Sequence, residues 1–99
     1  MDMLELHENR LVVRLPAELD HHSTEEIRRK IDDMIRDKIV DELEFDFSQT
    51  VFMDSAGIGM LLGRYKMMRA LNGQILISHM NGQVQRLLQL SGIRKYIQF

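Results

Sequence analysis

The stretch Phe52-Met53-Asp54-Ser55-Ala56-Gly57-Ile58-Gly59-Met60 is where this 99-residue chain places residue types that could do chemistry at a junction able to expose them. An apolar run gives way to Asp54-Ser55 and then to small residues, the pattern of a strand feeding a helix start. In an α/β fold such junctions lie on the open edge of the sheet, where function collects. Ser55 falls at or beside the N-cap. Its plain role there is structural, accepting a hydrogen bond from an early helical N–H. The free N–H groups and partial positive charge of a helix N-terminus also suit the position to carrying a phosphate. Gly57 and Gly59 in the first turn cost up to about 1 kcal/mol each against alanine. Two uses stand for glycine here: leaving backbone open to a partner, or, through Gly59 and Gly63, close packing of helix on sheet.

A serine hydrolase is disfavoured, because none of His7, His21, His22 and His79 stands in a pattern that ties it to Ser55, and Asp54 is no substitute for that base. The adjacent pair His21-His22 beside Asp20 does not make a metal site, since neighbours on a regular element point apart and no further ligand is evident. The reading is a non-enzyme with no cofactor and no metal. Of the eight methionines, Met53 and Met60 flank Ser55 and divide between core filler and an adaptable contact surface.

The elements that would position this stretch follow from periodicity. Met3 to His7 and Leu11 to Leu15 read as two strands around a Glu8-Asn9-Arg10 turn. Ser23-Thr24-Glu25-Glu26 has capping-box spacing, which starts a helix near residues 22 to 24. That helix buries Ile27, Ile31, Met34 and Ile35 and exposes the pairs Glu25/Arg29, Glu26/Lys30 and Asp32/Arg36. Residues 42 to 47 read as a strand. A second helix opens at Asp54-Ser55 and runs to about Leu71, with Leu61, Leu62, Tyr65, Met68 and Leu71 toward the core, and Asn72-Gly73 ends it. Gln74 to Ser78 reads as an interior strand covered on both faces or nearly so. A last helix from Gly82 to Leu90 buries Val84, Leu87 and Leu88, and Tyr96 to Phe99 is a candidate final strand. Strands alternating with helices make the fold α/β: one domain over residues 1–99, with a mixed, mostly parallel sheet of four to five strands and amphipathic helices.

Composition narrows the function. A net charge of -2 offers no field for nucleic-acid phosphates or an anionic membrane surface. The absence of cysteine removes disulfides, thiolate nucleophiles and Cys-based zinc sites, and suits a reducing compartment. The first residues carry charges every few positions, unlike a signal peptide, and no stretch approaches 18 apolar residues. A soluble, cytoplasmic protein is expected.

The runs Ala17-Glu18-Leu19-Asp20-His21-His22-Ser23, Phe52 to Gly59, Leu62-Gly63-Arg64-Tyr65-Lys66 and Leu90-Ser91-Gly92 together closely resemble the sporulation-type anti-sigma factor antagonists of the STAS domain family. The similarity covers essentially the whole chain in order. It implies a protein that, unphosphorylated, binds a dimeric, ATP-bound anti-sigma factor and frees the sigma factor. That partner is also a serine kinase, which phosphorylates Ser55 and so ends binding, and a PP2C-type phosphatase restores the active form. The implied contact surface is Asp20, His21, Met53, Asp54, Ser55, Ala56, Gly57, Ile58, Gly59 and Met60. Three features depart from the family pattern: Ala56 where relatives often have a second serine, Pro16-Ala17 in place of Thr/Ser-Gly, and a chain ending at Phe99 where the family usually continues into a further helix. Two alternatives stay open. One is a STAS antagonist in a general stress-response circuit, against which the Asp20-His21-His22 run weighs; the other is a small nucleotide- or anion-binding module using the Ser55 helix start.

Overall fold

A computed structural model describes residues 3–99. The alternating segments become β1 (Leu4–His7) and β2 (Arg10–Arg14), antiparallel around the two-residue loop Glu8-Asn9, with His7 opposite Arg10. Glu8 turns the chain in the left-handed region at φ 56°. Leu11, Val13 and Leu15 are fully buried, as period-two alternation requires of a strand with one face on the core. The next strand of the sheet, β4 (Glu42–Asp46), pairs parallel with β2, and β6 (Gln74–Ser78) pairs parallel with β4. The sheet order is β1-β2-β4-β6. A separate two-stranded parallel sheet joins β3 (Glu18–Leu19) to β5 (Phe52–Met53).

Helices α1 (His21–Asp37) and α2 (Ser55–Ala70) make the β2-to-β4 and β4-to-β6 crossovers. Both crossovers step the same way across the sheet, so right-handed connections put both helices on one face. That face carries Leu4, Leu6, Leu11, Val13, Leu43, Phe45, Ile75 and Ile77 into the core. The opposite face is a charged ladder, with Arg14 to Glu5 at 2.7 Å and Arg10 to Glu42 at 3.2 Å. Helix α3 (Gly82–Leu90) follows β6, capped by the Asn81 side chain, which accepts from the Val84 N–H and donates to the Thr50 carbonyl. Among the described residues no helix is long and apolar enough to cross a membrane.

Several expectations change. The α1 cap lies three residues earlier: Asp20, not Ser23, is the N-cap, and Ser23 is the reciprocal partner at the third helical position. Asp20 already has extended backbone and a carboxylate within reach of the Ser23 N–H, so it takes the cap and Glu26 is left to pair with Lys30 at 3.2 Å. Arg36 turns to Asp33 and Asp37, because Asp32 faces α2 and meets Arg64 at 3.3 Å. Strand β6 is an edge strand and half-buried, since nothing follows it in the sheet. Leu71 is 56% and Leu87 36% exposed, because each lies outside the stripe its helix turns inward. Residues 96–99 form no strand. Gly92 reverses the chain at φ 79°, a 3-10 turn over Ile93–Lys95 follows, and Ile93 and Ile97, four apart, both reach the core.

Candidate functional site

The two short paired strands set the site. Leu19 and Met53 are register partners, so the residues after them, Asp20 and Asp54, emerge side by side at the same sheet edge. Each leaves its strand with extended backbone and becomes the N-cap of the next helix: Asp20 for α1 and Asp54 for α2. One Asp20 carboxylate oxygen accepts from the Ser23 N–H at 2.9 Å, while the Asp20 N–H donates to the Ser23 hydroxyl at 3.0 Å. The Ser23 backbone N–H holds the Asp20 carboxyl below its ordinary value, against a smaller opposing push from desolvation. Asp54 bridges the helices. One of its oxygens accepts from the Ala56 N–H at 2.8 Å and the other from the His21 N–H at 3.3 Å. The Asp20-His21 and Asp54-Ser55 motifs, joined by this bond between residues 33 apart in the chain, are thereby one structure.

Ser55 is the first residue of α2 and is exposed. Its neighbour Asp54 is the cap, so the serine hydroxyl is not needed to close the helix end. Around it His21 and Gly59 are exposed, and Asp20, Asp54, Ala56 and Ile58 are half-buried. Three other residues of the expected surface point elsewhere. Met53 and Met60 are each 5% exposed and belong to the core, which decides between their two readings. Gly57 is buried for a packing reason: a Cβ there would meet Met53 Cγ at 2.7 Å and Leu19 Cδ2 at 3.0 Å. Close approach of α2 to the small sheet therefore depends on Gly57. At Gly59 and Gly63 a Cβ would meet nothing within 4 Å, so the helix-on-sheet explanation offered for that pair fails.

Two features escaped sequence reasoning. Val51 and Phe52, 58% and 50% exposed, put apolar surface just ahead of the serine in the chain; their place before a helix start was a signal only in combination with the sheet pairing. The second is the cap role of Asp20, which the Asp-x-x-Ser spacing carries as clearly as Ser-x-x-Glu does. Chemically, the site presents one exposed hydroxyl on a helix N-terminus, next in the chain to Asp54, whose carboxylate, like that of Asp20, is already engaged with backbone N–H groups. Among the described residues no three His, Asp or Glu groups gather as a metal site.

The sequence and the fold both have known counterparts. The STAS domain sequence model matches residues 3–99. An anti-sigma F factor antagonist of Paenibacillus polymyxa is 37% identical over 92 residues, covering 93% of this chain and 79% of that protein. The solved structure of the anti-sigma factor antagonist SpoIIAA in its unphosphorylated form superposes with a TM-score of 0.76 at 34% identity, covering 88% of this chain and 80% of the other. The structure of the Bacillus cell fate determinant SpoIIAA in its phosphorylated form gives 0.77 at 34% identity, over 95% and 86%.

Proposed function

Because this chain belongs to the STAS domain family, we propose that it is an anti-sigma factor antagonist whose unphosphorylated form binds an anti-sigma factor and releases the sigma factor. The observation that carries this is the placement of Ser55: exposed, first in its helix, and beside the Asp20–Asp54 junction. In this reading the ATP-bound anti-sigma factor is also the kinase, Ser55 is its acceptor, and a PP2C-type phosphatase reverses the modification in the cytoplasm. Ala56 leaves Ser55 as the sole hydroxyl of the motif. The solved relative with both an unphosphorylated and a phosphorylated form supports a switch of this kind.

The physics of the switch follows from its position. A phosphate adds roughly -1.5 to -2 charges at pH 7. At the N-terminus of α2 the helix dipole tolerates that charge, so the fold survives modification. The surface changes instead, because Asp20 and Asp54 already make it acidic, and a partner docked there with nucleotide phosphates meets like charge. A loss of 1.4 kcal/mol weakens binding tenfold. The contact surface is Asp20, His21, Asp54, Ser55, Ala56, Ile58 and Gly59, with Met53, Gly57 and Met60 supporting it from below. Catalysis by this chain has no part in the mechanism.

The test is co-elution with the cognate anti-sigma factor in ATP. Wild type and Ser55→Ala should form the complex, while Ser55→Asp, melting within a few degrees of wild type, should not. Undiminished binding by Ser55→Asp would overturn the reading.

A further inference from the structure

Beside the Ser55 site, helices α1 and α2 part to leave a cleft of about 330 Å³. His21, Thr24, Glu25 and Arg28 line it from α1, a stripe at helical spacing, and Ala56, Gly59, Met60, Gly63 and Arg64 line it from α2. The α2 wall is nearly without side chains at Gly59 and Gly63, whose missing Cβ atoms would touch nothing. At the far end Arg64 is only 8% exposed. Its Nε lies 3.3 Å from Asp32 Oδ1, yet Nε and Nη1 make no hydrogen bond, and neither does that Asp32 oxygen. Burial pushes the guanidinium down, Asp32 draws it back up, and Arg28 adds like charge. Two arginines, Arg28 and Arg64, thus line an open cleft with a small-residue wall, and Asp32 answers Arg64 only through an ion pair without a hydrogen bond, an arrangement suited to a further carboxylate.

We propose that this cleft is a second contact surface for the anti-sigma factor, taking a partner segment whose aspartate or glutamate side chain reaches Arg64 and Arg28. The proposal rests on the antagonist reading above and deepens it. Two observations select this occupant. His21 and Ala56 line the cleft and also belong to the Ser55 site, so a partner seated at the serine is already at the cleft mouth. The groups without a hydrogen bond are two Arg64 donors against one Asp32 oxygen, and Arg28 and Arg64 outnumber Glu25 among the charged residues that line the cleft.

The experiment measures affinity for the cognate anti-sigma factor at several salt concentrations. Gly63→Leu puts a side chain into the cleft from a position where a Cβ meets no atom within 4 Å, so it should keep the fold and melting temperature yet weaken binding at least about tenfold. Arg64→Met should weaken binding by a similar factor and flatten its salt dependence, a change that a structural role alone would not produce. Arg64→Lys should recover the salt slope but only part of the affinity, because a point charge replaces a fork. Wild-type affinity in a folded Gly63→Leu chain would overturn the proposal. So would an unchanged salt slope in Arg64→Met, or a melting-temperature rise with ATP alone that needs Arg64, which would make the cleft a nucleotide pocket. Failure of the wild-type chain itself to bind would refute the antagonist reading beneath it.

Discussion

Three glycines share helix α2 and are expected to respond to alanine with opposite signs. Replacing a helical glycine by alanine gains up to about 1 kcal/mol from backbone propensity alone. At Gly59 and Gly63 nothing opposes the gain, since the new methyl meets no atom within 4 Å. At Gly57 the methyl arrives 2.7 Å from Met53 Cγ and 3.0 Å from Leu19 Cδ2. Neither neighbour can retreat: Leu19 is fully buried, and Met53, 5% exposed, is struck in mid-chain rather than at its flexible end. Overpacking of this kind costs about 1–3 kcal/mol. Set against the propensity gain, Gly57→Ala should lose about 1 kcal/mol, a fall of roughly 4–8 °C for a domain of this size. Gly59→Ala and Gly63→Ala should each rise. Urea unfolding followed by circular dichroism measures all three, provided the m-values agree. A Gly57→Ala chain as stable as Gly59→Ala would refute the packing argument.

Other perturbations test other parts of the structure. Burial pushes the Asp46 carboxyl up, but the Ser48 N–H at 2.8 Å and the nearby His79 and Arg14 charges outweigh it and leave it below its ordinary value. A lowered carboxyl contributes stability above about pH 4 that disappears as pH falls through the folded value. Asp46→Asn should therefore flatten the acid limb of the stability curve, and an unchanged limb counts against this. Asp54→Ala removes a cap and the α1–α2 bridge together, and should cost about 1–2 kcal/mol in chemical denaturation. Phe45→Ala should cost about 3–5 kcal/mol, from a fully buried side chain. Leu90→Ala, 80% exposed, should stay within about 0.5 kcal/mol of wild type.

Local pattern made some of this legible and long-range pairing hid the rest. The alternation of Leu11, Val13 and Leu15, and the four-residue step from Ile27 to Ile31, each report a buried face directly, and both faces are where the pattern places them. The start of α1 was ambiguous because Asp20-x-x-Ser23 and Ser23-x-x-Glu26 both have capping spacing; only the backbone of Asp20 decides between them. Strand β6 reads as interior because its apolar run says nothing of whether another strand follows. Residues 96–99 misled by composition, since Ile93 and Ile97 sit at helical spacing after the Gly92 turn. At the site, Ser55 and its helix start were visible in sequence. The Asp54–His21 bond and the Asp32–Arg64 contact each join two helices and leave no local trace.

The central claim is that Ser55 is the switch. Intact mass after mixing the chain with its cognate anti-sigma factor and ATP tests it directly. The account predicts a single added phosphate on the wild-type chain, none on Ser55→Ala, and loss of complex as the phosphate accumulates. Full phosphorylation of Ser55→Ala, or a phosphorylated chain that stays bound, would contradict it.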